Sequence, residues 1–149
     1  YSPLDIAKDE VRLLKLHPSP DIGHDLVGDL VIMSLHTHED AKECTTHHPP
    51  YEALSYQWGN ADGNQPPAIT INGISKQITP NLHSALRHIR DTGRERVLWI
   101  DALCINQDDL EEKSSQVQRM AGIYQLAERV LVWLGDASAD SDLAISTLK

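Results

Sequence analysis

The side chains with the most chemical potential gather at the ends of three apolar runs. The first run ends in Ser55, Tyr56, Gln57, Trp58 and Gly59, the second in Asp101 with Cys104, Asn106 and Gln107 close behind, and the third in Gly135, Asp136 and Ser138. Carboxylate, hydroxyl and carboxamide groups beside an indole can fix a polar ligand by hydrogen bonds and stack a planar ring. Each residue also has a plainer use. Asp101 can accept turn amides, Asn106 and Gln107 can organise the entry to the next helix, and Trp58 can simply pack. Cys104 as a nucleophile needs a histidine beside it, with His83 and His88 the candidates; a buried thiol under a loop is the ordinary alternative. His36, His38, Cys44, His47 and His48 share one polar loop. Their loose spacing lacks the two tight ligand pairs of a structural zinc site, so no metal is expected. No GxGxxG or GK[ST] pattern follows a strand, which removes the known dinucleotide and triphosphate fingerprints.

The elements that must position these groups are readable from periodicity. Val97 to Ile100 and Val130 to Leu134 are strand-length apolar runs, and between them Val117, Met120, Tyr124 and Ala127, widened by Ile123 and Val130, recur at helical spacing. Asp109 followed by Glu112 resembles a capping box and starts that helix near Leu110. A strand, helix and strand in this order are expected to place the two strands as parallel neighbours joined by a right-handed crossover. Upstream, Tyr51 to Gly59 reads as a central strand. Asn72-Gly73 between Ile71 and Ile74 marks a two-residue hairpin, because both turn positions need positive φ. Thr79 caps a helix with Pro80 at its first position, Leu82, Ala85, Leu86 and Ile89 make its buried stripe, and Asp91-Thr92-Gly93 stops it. Val11–Leu16 and Leu26–Leu35 are expected to pair antiparallel at an edge, Trp99 and Trp133 belong to the core, and Leu143, Ala144, Ile145 and Leu148 are expected to open a further helix. The fold class is therefore α/β: an open, mainly parallel sheet flanked by helices, with N-terminal antiparallel edge strands and a small inserted β-hairpin. Ligands of such sheets collect beyond the carboxyl ends of the strands, where the three polar groups lie.

Composition bounds the partners. One domain fits 149 residues, and 13 basic against 22 acidic side chains give a net charge of -9 with no basic cluster, so nucleic acid is not expected as a partner. No apolar run is long enough to span a bilayer and no signal pattern opens the chain, so a soluble, cytoplasmic protein is expected. The opening on Tyr1 and the expected helix near Lys149 suggest an excised fragment of a longer protein.

Four ordered blocks, YEALSYQWG, NLHSALRHIR, LWIDALCINQ and EKSSQVQRMAGIYQLAERVLVWLG, resemble the fungal heterokaryon-incompatibility (HET) domain over residues 51 to 136, and VRLLKL resembles its lead-in. The resemblance implies a filamentous fungal protein whose activation in cells with incompatible partners triggers growth arrest and programmed cell death. It also implies a distant relationship to TIR domains, with a flavodoxin-like sheet in which ALSY, LWID and VLVWLG are the first three strands. Some TIR domains cleave NAD through a glutamate on a helix after the third strand. HET sequences similarly continue into a block ending in Gln-Glu, which does not occur before Lys149; Glu111, Glu112 and Glu128 lie on the preceding helix and match no such position. Two functions follow as expectations. One is a signalling module acting by self-association, compatible with a homo-oligomer, or by docking other incompatibility components. The other is an NAD-binding or NAD-hydrolysing fold, with the nucleotide against Ser55, Tyr56, Trp58, Gly59, Asp101, Cys104, Asn106 and Gln107 and its catalytic glutamate outside these residues.

Overall fold

The computed structural model describes residues 1–35, 50–58, 65–135 and 145–148, the last four by backbone alone. Gly59, Asp136 and Ser138, and the loop with His36, His38, Cys44, His47 and His48, lie outside the described residues. The strands are β1 (Glu10–Leu16), β2 (Leu26–Ser34), β3 (Glu52–Ser55), β4 (Ala68–Ile71), β5 (Ile74–Gln77), β6 (Arg96–Trp99), β7 (Arg129–Trp133) and β8 (Ile145–Leu148). The helices are α1 (Pro80–Ile89), the short α2 (Asp101–Cys104) and α3 (Leu110–Leu126).

All eight strands join one sheet in the order β5-β4-β2-β1-β6-β3-β7-β8. It is mixed rather than mainly parallel: β3 runs parallel to β6 and β7, and β2 parallel to β4, whereas β1 is antiparallel to both β2 and β6 and the pairs β4-β5 and β7-β8 are antiparallel. The N-terminal strands pair as expected but occupy the middle, not an edge. The reason is visible in β1, where Val11, Leu13, Leu14 and Leu16 are all buried. A strand apolar on both faces belongs between layers. β2 lies against it so closely at Gly28 that a Cβ there would sit 2.7 Å from the Lys15 carbonyl and 2.9 Å from Leu14 Cδ1.

The predicted parallel pair also differs in one respect. β6 and β7 run the same way, but β3 lies between them. The hairpin turns at Asn72 and Gly73 with φ of 51° and 79°, as its sequence demands, yet β4 and β5 extend the sheet to its edge instead of standing apart as an insert. The expected final helix is absent: Ile145–Leu148 is β8, paired antiparallel with β7 from Trp133 to Val130. A bonding edge on β7 outweighs a short apolar spacing.

Two apolar clusters sandwich the sheet. Leu82, Ala85, Leu86 and Ile89 of α1 pack on Leu14, Leu54, Leu98 and Trp133; Ile123 of α3 packs with Val11, Leu13, Ala53 and Trp99 on the opposite face. This follows from topology. The β3-to-β6 and β6-to-β7 crossovers run in opposite directions along the sheet, and two right-handed crossovers in opposite directions put their helices on opposite faces.

Local signals explain the helix ends. Thr79 Oγ1 accepts the Leu82 amide at 3.2 Å and Asp109 Oδ1 the Glu112 amide at 3.1 Å, so α1 and α3 begin where expected. The inner stripe of α3, however, is the buried Gln116 and Ile123 with the half-buried Met120 and Tyr124, followed by the buried cap residue Ala127, and Val117 is exposed. Gln116 faces inward because its amide reaches the Glu10 carbonyl at 3.4 Å.

Candidate functional site at the carboxyl rim

β6, β3 and β7 present their carboxyl ends side by side, so Ser55, Asp101 and Gly135 arrive on one rim as their sequence positions suggested. The chain leaves β3 towards the α1 face and leaves β6 towards the α3 face. Between two such departures an open sheet has its crevice.

Two residues bridge that crevice. Trp58, in the loop after β3, donates its indole Nε1–H to Asp101 Oδ2 at 3.1 Å, while the Ala102 amide donates to Asp101 Oδ1 at 2.8 Å. Gln107 closes the other side by donating Nε2–H to the Asp101 carbonyl at 2.9 Å. Burial raises the Asp101 carboxyl above its ordinary value of 3.8, with the Trp58 and Ala102 hydrogen bonds opposing the shift. Trp58 stays 43% exposed. Its ring is held at the nitrogen and open on its surface.

Tyr56 is the second organiser. It packs on the α1-face core, and its buried hydroxyl has no hydrogen-bond partner among the described residues. Burial, then the negative charge of Asp101, raises its pKa. Tyr124 reaches the same place from α3: its hydroxyl donates to the Leu54 carbonyl at 3.2 Å, and burial raises its pKa while a hydrogen bond with Ser55 opposes the rise. Ser55, Tyr56, Trp58, Asp101 and Gln107 are thus brought together.

Asn106 and Cys104 serve structure instead. Asn106 Oδ1 accepts the Asp108 amide at 3.2 Å and its own amide donates to Glu112 Oε1 at 3.0 Å, which forms the turn into α3. Glu112 therefore does not complete the reciprocal capping box. Its carboxylate instead takes the buried Arg12 guanidinium as partner. Cys104 is fully buried, accepts the Ile100 amide at 3.3 Å, and burial pushes its thiol up to about 12. His88 stacks on Trp133 at 5.1 Å in the other apolar layer, so it cannot activate that thiol. Among the described residues no cluster of three or more His, Cys, Asp or Glu side chains is placed to hold a metal ion.

Two rim residues escaped the sequence reading. Asn81 donates to the Gln57 carbonyl and accepts the Trp133 indole N–H at 2.9 Å, tying α1 to the exits of β3 and β7. Its signal was position: the first turn of a helix that returns to a parallel strand starts at the carboxyl rim. Arg12, 2% exposed, donates to Glu112, to the Cys104 carbonyl at 3.1 Å and to the Ser2 carbonyl at 2.6 Å. A cation set between apolar residues in the run VRLLKL was its trace.

Two concavities flank Tyr56. One of about 480 Å³ is lined by Ser55, Gln57, Asn81, Trp133 and Gly135. The other, of about 270 Å³, lies between Trp58, the corner where β5 turns into α1, and α2.

The profile of the family described as heterokaryon incompatibility protein (HET) matches residues 51–149. Heterokaryon incompatibility protein 6, OR allele, of Neurospora crassa is 36% identical over 149 residues, covering 93% of this chain and 20% of that protein. The chain thus spans about a fifth of the length of the curated relative it matches. No solved structure matches the chain.

Proposed function

Because the chain belongs to the heterokaryon-incompatibility family, we propose that it is a signalling module of fungal incompatibility that promotes cell death in the cytoplasm by self-association or by docking other proteins. The observation that carries this reading is the family match itself, which begins at Tyr51, one residue before β3, and takes in every strand end that forms the rim. The rim suits contact with protein. Trp58 and Leu134 are 43% and 67% exposed there, and large apolar side chains at the edge of a polar crevice are typical anchors of interfaces. Sedimentation velocity over a wide range of protein concentration tests the self-association arm, with Trp58→Ala and Leu134→Ser beside the wild type. Concentration-dependent assembly weakened by either variant supports it. A monomer throughout, together with undiminished killing when the gene carrying both substitutions is expressed in the fungus, overturns the rim as the contact surface.

A second reading has one observation in its favour: an exposed indole, fixed by a carboxylate, beside concavities at the carboxyl ends of parallel strands. That arrangement suits a nucleotide such as NAD, in keeping with the TIR-like relationship the sequence suggests. Calorimetric titration of NAD, repeated on Asp101→Ala, tests it. Saturable binding lost in the variant supports the nucleotide reading, and no heat from a folded sample removes it.

A further inference from the structure

The smaller concavity has a chemistry of its own: it shares Trp58 and Asp101 with the nucleotide reading but adds an aliphatic floor and Lys76, which that reading does not use. Its floor is aliphatic, made by Ile78, Leu82 and Leu103, and one wall is the Trp58 ring. Ile78, Leu82 and Leu103 are buried members of the α1-face core, so the floor is rigid. Trp58 is tethered at one end, because its indole nitrogen is bound to Asp101. A slot with an aliphatic floor and an aromatic wall that do not have to be ordered on binding is preorganised for a flat apolar ring.

At the mouth stands Lys76. In a chain with 22 acidic and 13 basic side chains, an ammonium ordinarily finds a carboxylate. Among the described residues the partners of Lys76 are neutral, the Tyr1 hydroxyl and the Tyr1 ring face at 4.4 Å. Among the described residues no acidic side chain pairs with it. An ammonium has three donors, so the Tyr1 hydroxyl leaves two free. Tyr1 itself is anchored, donating to the Leu103 carbonyl at 3.1 Å. The nearest carboxylate of the rim, Asp101, is covered by the donors of Trp58 and Ala102 and turns no unscreened charge towards the slot.

We propose that this slot binds a small flat aromatic molecule carrying one anionic group, with the ring between Trp58 and the floor of Ile78, Leu82 and Leu103, and the anion on Lys76. Tyr56 lines both this slot and the larger concavity, and its ring adds to the flat apolar wall.

The probe is 2-naphthoate, followed by the indole N–H resonance of Trp58 in ¹⁵N-labelled protein and assigned with Trp58→Phe. The neutral counterpart is 2-naphthylmethanol. We expect a saturable shift with naphthoate, binding weaker by about tenfold or more for the alcohol, and Lys76→Gln lowering naphthoate to the affinity of the alcohol while leaving the alcohol unchanged. Lys76 lies on an edge strand, so this variant keeps the core. No saturable shift up to the solubility of the probe overturns the proposal. Equal affinity for acid and alcohol overturns it too, as do shifts that map to α3 instead of α1 and α2.

Discussion

The indole nitrogen of Trp58 and the carboxylate of Asp101 meet at 3.1 Å across the line where the chain departs to opposite faces of the sheet. One partner comes from the loop after β3 and the other from the end of β6, so their bond closes the rim over the core. Trp58→Phe keeps an aromatic ring at this place and removes the bond with a small part of the ring's contact area. A loss of about 0.5–1.5 kcal/mol in urea unfolding is expected, with an unchanged denaturant slope. A loss near zero would mean that water replaces the indole at no cost.

Asp101 also predicts a pH dependence. Its folded-state carboxyl is raised above 3.8, mainly by burial, so between 3.8 and the raised value the native protein holds a proton that the unfolded chain has released. Stability therefore falls as pH rises through that window, and the full stabilisation is present only below it. Asp101→Asn cannot titrate. The difference in unfolding free energy, wild type minus variant, should decline with increasing pH across this window and level off above it. A difference that grows with pH would contradict the burial assigned to this carboxyl.

Arg12 and Glu112 form an ion pair with side chains only 2% and 11% exposed. Breaking it from one side strands a buried charge. Arg12→Met or Glu112→Leu should each cost about 3–5 kcal/mol, while Arg12→Met with Glu112→Leu should recover a large part of that loss. Equilibrium unfolding of the three variants completes a double-mutant cycle. Additive losses would show that the pair is not coupled.

The register of α3 can be tested by two substitutions. Ile123 is buried and Val117 is 51% exposed. Ile123→Ala is expected to cost about 2–5 kcal/mol, and Val117→Ala to stay within about 0.5 kcal/mol. A cost for Val117→Ala as large as that for Ile123→Ala would restore the stripe that the sequence pattern suggests.

Cys104 should resist thiol reagents in the native state, since its thiol stays protonated at neutral pH and it is fully buried. Peptide mapping after iodoacetamide treatment should find it unmodified until the protein is unfolded. Rapid native labelling would instead indicate an opening of the α2 turn.

Local chemistry was legible in the sequence and neighbourhood was not. Asn72-Gly73, Thr79-Pro80 and Asp109 state their turn and caps outright, because the φ angle or the amide they serve lies within a few residues. The rim was legible too, since the end of a strand is marked by the residue that stops it: Asp101 after Trp99-Ile100, Gly135 after Trp133-Leu134. Which strand lies beside which is decided by distant partners. Val11–Leu16 was expected at an edge, and although Leu13 and Leu14 are both buried, nothing local says that Leu14 faces Leu98. Helical spacing allowed two stripes on α3, and Gln116, whose Nε2–H meets the distant Glu10 carbonyl, lies on the inner one. Gly59, on the expected ligand rim, lies outside the described residues.

The place of β1 has a meaning in time as well as in space. Leu16 is bonded to Arg96, so the ribosome must add 80 further residues before the partner exists. At about 5–20 residues per second that is a wait of roughly 4–16 s. Through that interval the nascent chain carries an apolar strand with one side unpaired, the kind of template that recruits other chains. β3 waits as well, since both of its neighbours are translated after it. The middle of the finished sheet is the longest bare edge of the unfinished one.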